Sequence, residues 1–176
     1  GLSHLLNIRE KYNHISNLQD VDYKIFSQNG EDGIIDYLLN KIKVDKPKFV
    51  EVGVRNYLES NTRFVFERTS ASGLIIDCME GLEAQVKKNM KLWKGELFIH
   101  EEMIRSTSLN KILAKYNFSK NTDLFSLDID GLDYWVVKNL PNNFSKIAIL
   151  EYNAIFGDEL EVSVPEIEMF DRKKYH

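Results

Sequence analysis

Five short apolar segments alternate with segments of helical periodicity along this chain, and most of the apolar segments run directly into a carboxylate or a glycine. Strands that alternate with helices predict right-handed βαβ crossovers and a mainly parallel sheet. The apolar segment 147–150 is typical of a strand covered on both faces of its sheet. We therefore predict an α/β fold, a Rossmann-like, doubly wound, mainly parallel sheet of about five strands. The predicted strands are 48–53, 73–77, 96–100, 124–129 and 146–151, and the predicted helices are 30–42, 57–69, 81–92, 106–117 and 131–139.

The domain organisation follows from length and periodicity. The chain has 176 residues, which suits one domain with its own core. A loose helical stripe over 3–18 predicts an N-terminal helix. We therefore divide the chain into an N-terminal helix or arm at 1–20 and a Rossmann-like domain at 21–176.

Composition and charge exclude several classes of protein. The net charge of -4 and the lack of a basic stripe argue against a nucleic-acid partner and favour a small-molecule or carbohydrate substrate. No apolar run approaches the roughly 18–20 residues that a membrane span needs, and residues 1–20 lack the apolar core of a secretory signal. Cys78 is the single cysteine, which rules out an intrachain disulfide and fits a cytoplasmic protein.

The first predicted strand ends in an acid and a glycine, Glu51 and Gly53. Ligands of open α/β sheets bind outside the carboxyl ends of the strands. The further glycines of a G-x-G-x-x-G loop are absent, so we do not expect a diphosphate cradle. A ligand that approaches the backbone at Gly53 and offers an amino group to Glu51 fits better. The alternative is an ordinary turn beside a buried glutamate whose hydrogen bonds are satisfied.

The second and third predicted strands end in further acids. Asp77 stands where an acid accepts hydrogen bonds from both hydroxyls of a ribose. The alternative is that Asp77 caps the following helix. At the end of the third strand, segment 101–104 combines carboxylates with apolar side chains that would border an adenine ring, although solvated acids explain it equally well.

Acids also follow the last two predicted strands. Asp128 and Asp130 would point to the same face if the strand continued, because side chains alternate along a strand. Paired carboxylates raise one pKa or attract a cation, so this pair predicts a general base or a hard-metal site. The alternative is a helix cap made by Asp130 or Asp133. If the last two strands are neighbours, Glu151 lies beside Asp128, and a metal would be held by Asp128, Glu151 and Asn153.

The chain resembles class I S-adenosylmethionine (SAM)-dependent methyltransferases, and most closely the FkbM-type branch and its relatives associated with bacterial polysaccharides. The resemblance covers roughly residues 22–153 and rests on four segments in order, 27–32, 49–53, 76–77 and 127–134. The first of these belongs to a polar, glycine-bearing turn over 26–33. We interpret that turn as a wall of the pocket, with helix capping as the alternative.

The resemblance implies SAM as cofactor, with a divalent metal as an option. It also implies a sheet of seven strands, so residues 21–176 would form a domain that is incomplete at its C-terminal end. The implied cofactor contacts are Glu51 and Gly53 to the methionine part, Gln28 and Glu31 closing that end, Asp77 to the ribose, Met103 to the adenine, and Asp128 near the sulfonium and the acceptor.

The function implied by the resemblance is O-methylation of a carbohydrate or capsule precursor. A narrower version of this expectation is methylation of a phosphoramidate group on such a precursor. A hydroxyl acceptor must lose its proton, and the candidate bases are Asp128, Asp130 and Glu151, with His100 as a further candidate. Two alternatives remain at this stage. One is a nucleotide-sugar or dinucleotide enzyme on a similar sheet, and the other is a non-catalytic SAM-binding module.

Overall fold

The computed structural model describes residues 12, 14–152 and 162–167. Five strands form one parallel sheet in the order β3-β2-β1-β4-β5, which confirms the predicted Rossmann-like α/β fold. The predicted arm lies largely outside the described residues, and so does Asn153. The strands are β1 (Lys48–Val52), β2 (Ser72–Asp77), β3 (Glu96–Glu101), β4 (Thr122–Leu127) and β5 (Ser145–Leu150).

The helices cover both faces of the sheet. Within the described residues, two short 3-10 helices accompany five α-helices, and every α-helix is shorter than its periodicity predicted. The helices are α1 (Glu31–Lys41), α2 (Arg63–Arg68), α3 (Leu82–Asn89), α4 (Leu109–Lys115) and α5 (Asp133–Lys138), and the 3-10 helices are Leu18–Val21 and Leu92–Lys94.

Alternation along the strands divides the core into two layers. Phe49 and Ile75 point to one face and pack with buried residues of α1, α2 and α3. Val50 and Leu74 point to the other face and pack with α4 and α5. All four of these side chains are fully buried. The sheet is therefore doubly wound, as the apolar strands predicted.

A buried ion pair joins the first two helices on their shared face. Asp36 of α1 accepts a hydrogen bond of 2.6 Å from Tyr12 Oη and also pairs with Arg68 of α2. Burial and the neighbouring Asp36 raise the pKa of the Tyr12 phenol well above its usual range. Tyr12 therefore stays a neutral donor and fixes the start of the described chain against α1.

The strand order reverses direction between β1 and β4, which are consecutive neighbours in the sheet but distant in the chain. Glu51 pairs with Ser126 and Val52 with Leu127 across this junction. In open α/β sheets such a switch point opens a crevice at the carboxyl ends of the strands. The fold alone thus places the expected crevice next to Gly53.

Helices long and apolar enough to cross a bilayer are absent from the described part of the chain.

Candidate ligand site at the carboxyl edge of the sheet

A cavity of about 810 Å³ opens at the carboxyl edge, around the switch point between β1 and β4. This volume lies within the range of about 300–1,000 Å³ that is typical of small-molecule sites. Four separate segments of the chain, each following a strand, supply most of its wall. Six of the seven cofactor residues implied by the sequence line it, namely Gln28, Glu51, Gly53, Asp77, Met103 and Asp128.

Gly53 lets the backbones of β1 and β4 meet at the floor of this cavity. Its φ is +85°, and a Cβ at this position would lie 1.7 Å from the carbonyl oxygen of Asp128. Gly53 N–H donates to the Ile76 carbonyl at 2.9 Å, and Asp128 N–H donates to the Val52 carbonyl at 3.1 Å. The sequence predicted a close approach by a ligand, whereas in the structure the chain's own backbone makes it.

Glu51 is 4% exposed and is held by the loop that leads into α2. Its Oε2 accepts hydrogen bonds from Ser60 Oγ at 2.6 Å and from Thr62 Oγ1 and N–H at 2.6 and 2.9 Å, and Oε1 accepts from Asn61 N–H at 2.9 Å. Burial raises the pKa of the Glu51 carboxyl, and these hydrogen bonds partly offset the rise. The contacts are those of the alternative considered above, a buried glutamate satisfied by its own chain.

Asp77 joins two loops of the cavity wall. Its Oδ2 accepts a hydrogen bond of 2.6 Å from Arg55 N–H, and its Oδ1 accepts one of 2.8 Å from Met79 N–H. Asp77 does not cap α3, because the N-cap position belongs to Gly81. A carboxylate has about four lone-pair sites, so Asp77 retains acceptor capacity towards the cavity.

Glu101 provides the cap that was considered for Asp77. Its carboxylate accepts hydrogen bonds of 3.0 Å each from the N–H groups of Glu83 and Gly81, at the start of α3. These two backbone donors lower the pKa of the Glu101 carboxyl. The end of β3 thus positions the helix that follows β2.

We expect Glu101 to titrate below the usual glutamate pKa of about 4.3. A lowered pKa in the folded state means that the interaction stabilises the fold above the unfolded value and is lost as the pH falls through the folded value. Carbon-detected NMR titration of the side-chain carboxyl measures this directly, and Glu101→Gln identifies the signal. Titration at or above the usual value would contradict the capping geometry.

Three acids lie together beside the mouth of the cavity. Asp128, Asp130 and Glu151 are exposed, and each offers an oxygen within 4.8 Å of the others. Glu151 directly follows β5, and β5 is the neighbour of β4, which is the condition under which Glu151 was expected beside Asp128. Asp128 and Asp130 were expected on one face only if the strand continued, and β4 ends at Leu127. Asp130 joins the cluster from the following turn, where its φ is +57°.

The N-cap position of α5 is Leu132 and has no side-chain capping hydrogen bond, so the capping alternative does not hold for Asp133. Its two carboxylate oxygens accept hydrogen bonds of 3.0 Å each from the N–H groups of Ile129 and Gly131. Asp133 therefore stabilises the turn between β4 and α5, while Asp130 lines the cavity. Asn153, the third predicted metal ligand, lies outside the described residues.

The polar turn over 26–33 borders the cavity through Gln28. Its centre is the fully buried Asp32, whose Oδ2 accepts hydrogen bonds from the N–H groups of Ile25, Phe26 and Ser27 at 2.7–2.9 Å. These contacts, with the hydrogen bond of 3.0 Å that Asp32 N–H donates to Ser27 Oγ, fit the capping alternative for this turn, although the sequence did not single out Asp32.

Two other candidates stand apart from the cavity. Glu31 accepts a hydrogen bond of 2.7 Å from Asn29 N–H and is not among the described lining residues. The ring of His100 contacts Tyr116 Oη and Glu102 Oε2, each at 3.2 Å, and His100 also does not line the cavity. These contacts give Glu31 a local role in its turn and leave the carboxylates as the candidate bases.

Comparisons with protein-family models, with curated proteins and with solved structures found no match. The fold and the cavity define the chain as a Rossmann-like α/β protein with a cavity at the switch point of its sheet. Because this fold carries many unrelated functions, the function has to be argued from the site.

Proposed function

We propose that this chain is a cytoplasmic SAM-dependent O-methyltransferase that acts on a carbohydrate or capsule precursor. The observation that carries the proposal is the cavity at the switch point, where Asp77 of β2 and Asp128 after β4 face a common space. In this arrangement Asp77 would bind the ribose, and the reacting centre would lie towards Asp128.

The charge of the cavity wall supports a cationic ligand. SAM carries a sulfonium and an ammonium, and a wall of one sign concentrates ligands of the opposite sign. The basic side chain among the described lining residues is Arg55. The acidic lining residues, besides the buried Glu51, are Glu59, Asp77, Glu102, Asp128 and Asp130.

The same wall argues against the dinucleotide alternative. A diphosphate needs unoccupied N–H groups in the loop after β1 and at the start of the next helix. In the loop after β1, Gly53 N–H donates to the Ile76 carbonyl and Arg55 N–H donates to Asp77 Oδ2. At the start of α2, the N–H groups of Asn61 and Thr62 donate to the Glu51 carboxylate. These four N–H groups, which a diphosphate would need, are therefore already paired with acceptors of the chain itself.

In the proposed reaction, a hydroxyl oxygen of the acceptor attacks the methyl carbon in line with the breaking bond to sulfur. Its proton passes to a carboxylate, and S-adenosylhomocysteine leaves. Holding both reactants in alignment contributes up to about 7–11 kcal/mol to such a step. Asp128, Asp130 and Glu151 are the bases in this proposal.

A divalent cation is a second way in which the same acids would assist. Asp128, Asp130 and Glu151 offer the oxygen ligands that hard cations prefer. A cation bound there would lower the pKa of the hydroxyl and orient it. Chelation separates the two versions, because transfer that continues in excess EDTA needs only the carboxylates.

The acceptor is better described as a hydroxyl than as a phosphoramidate. An anionic phosphoramidate oxygen would need positioning but no base. Asp128 and Asp130 would repel such an anion at short range. A neutral sugar hydroxyl meets no such repulsion and makes use of the bases.

We expect Asp77→Ala to weaken binding of S-adenosylhomocysteine roughly 10-fold or more, because hydrogen bonds to a charged acceptor are lost. Isothermal titration calorimetry measures the affinity. Glu80→Ala is the matched control, since Glu80 is a nearby exposed acid that is not among the described lining residues. Equal affinity of wild type and Asp77→Ala would contradict the ribose assignment.

The rival functions give different results in the same preparation. Thermal-shift assays compare SAM with NAD, and stabilisation by NAD alone would favour the dinucleotide enzyme. A non-catalytic module would bind SAM and transfer no methyl group to any glycan fraction. Wild type that binds neither SAM nor S-adenosylhomocysteine would end the proposal.

A further inference from the structure

Asn61 is fixed in the cavity wall from two directions. Its backbone N–H donates to Glu51 Oε1 at 2.9 Å, and its side-chain Nδ2 donates to Ser126 Oγ at 3.0 Å. Glu51 and Ser126 are both buried and are register partners on β1 and β4. Asn61 is therefore held by two strands of the sheet, through its backbone and through its side chain, and such anchoring preorganises a group for binding.

The anchoring leaves one polar atom of Asn61 for a ligand. Because Nδ2 faces Ser126, the carbonyl Oδ1 is the acceptor that this residue offers to the cavity it lines. Asn61 is partly exposed, and Oδ1 accepts no hydrogen bond from the described residues. An amide oxygen in an acidic cavity is suited to a cationic N–H donor.

We propose that Asn61 binds the ammonium group of SAM, and this inference rests on the function proposed above. Glu51 cannot readily take that role, because its carboxylate already accepts four hydrogen bonds from the chain. Glu51 is instead the positioning residue that holds Asn61 in place.

The positions of the strands support this orientation of the ligand. Asp77 lies at the end of β2 and Ser126 lies on β4, so they flank β1 on opposite sides. Neighbouring strands are about 4.8 Å apart, so β2 and β4, which carry Asp77 and Ser126, are about 10 Å apart. A ligand that lies across the end of β1 would place its ribose at Asp77 and its amino-acid part at Asn61.

The test compares two ligands that differ at the amino-acid part. S-adenosylhomocysteine carries the ammonium, and 5′-methylthioadenosine lacks the whole amino-acid part. We expect Asn61→Ala to lower the affinity for S-adenosylhomocysteine roughly 10- to 100-fold and to leave the affinity for 5′-methylthioadenosine unchanged. Asn61→Asp keeps an acceptor at this position and should restore binding of S-adenosylhomocysteine.

Other outcomes have distinct meanings. If Asn61→Ala lowered the affinity for both ligands equally, the residue would only maintain the shape of the cavity, and the inference would be overturned. Unchanged affinity for both ligands would overturn it as well. Failure of the wild type to bind either ligand would instead overturn the proposed function, and the inference with it. Calorimetry on the full chain, with a thermal melt of each variant, gives all of these results.

Discussion

Replacing Gly53 with alanine should lower the free energy of unfolding by more than about 3 kcal/mol. The backbone at Gly53 has φ of +85°, which alone disfavours a side chain. The larger cost comes from the new Cβ, which would lie 1.7 Å from the Asp128 carbonyl oxygen. Since that oxygen belongs to the backbone, β1 and β4 would have to separate at the floor of the cavity. Chemical denaturation of the purified variant measures the loss.

Gly81→Ala is a closely matched control for this effect. Gly81 also has a positive φ, +75°, but a Cβ there would meet nothing within 4 Å. We expect this variant to lose about 1 kcal/mol, the cost of a left-handed backbone for alanine. The difference between the two variants therefore measures the contact with Asp128. Equal losses would show that the two strands do not approach each other as closely as described.

Replacing Glu51 with alanine should cost about 3 kcal/mol, because the buried N–H group of Thr62 and the partly buried N–H group of Asn61 would lose their acceptor. Glu51→Gln should cost less, since it keeps one oxygen but turns an NH₂ group towards donors. Urea denaturation compares these variants with Glu59→Ala. Glu59 is an exposed acid of the same loop, and its replacement should change stability by less than about 0.5 kcal/mol.

The pH dependence of the Glu51 variants has a definite sign. Burial raises the pKa of the Glu51 carboxyl in the folded state. Its stabilising contribution is therefore full below the unfolded value of about 4.3 and decreases as the pH rises through the folded value. The difference in unfolding free energy between wild type and Glu51→Ala should be largest at low pH. If the difference in unfolding free energy instead grew with pH, the hydrogen bonds would lower the pKa of Glu51 by more than burial raises it.

The sequence predicted the strands better than the helices. Each apolar segment lies within one or two residues of its observed strand, as at Lys48–Val52, because burial on both faces selects a continuous apolar run. The helix predicted over 57–69 begins only at Arg63. Helical periodicity cannot show that residues 60–62 bind a carboxylate on β1, since that contact depends on the tertiary fold.

The site was predictable in its location and less so in its contacts. The rule that ligands bind at the carboxyl ends of parallel strands was enough to bring Asp77 and Asp128 to one cavity. The rule predicts which side chains lie at the carboxyl edge of the sheet, but it does not predict the hydrogen bonds that they make. The partners of Glu51 and the anchoring of Asn61 depend on the tertiary structure, so the sequence alone could not predict them.

The cavity floor is closed by main-chain hydrogen bonds, from Gly53 to Ile76 and from Asp128 to Val52. These bonds join backbone atoms, so they do not depend on the surrounding side chains, apart from the requirement for glycine at position 53. Substitutions at the rim can thus retune which molecule is accepted without requiring the scaffold to be rebuilt. A chain of this design is accordingly a suitable starting point for engineering the chemistry of the cavity wall.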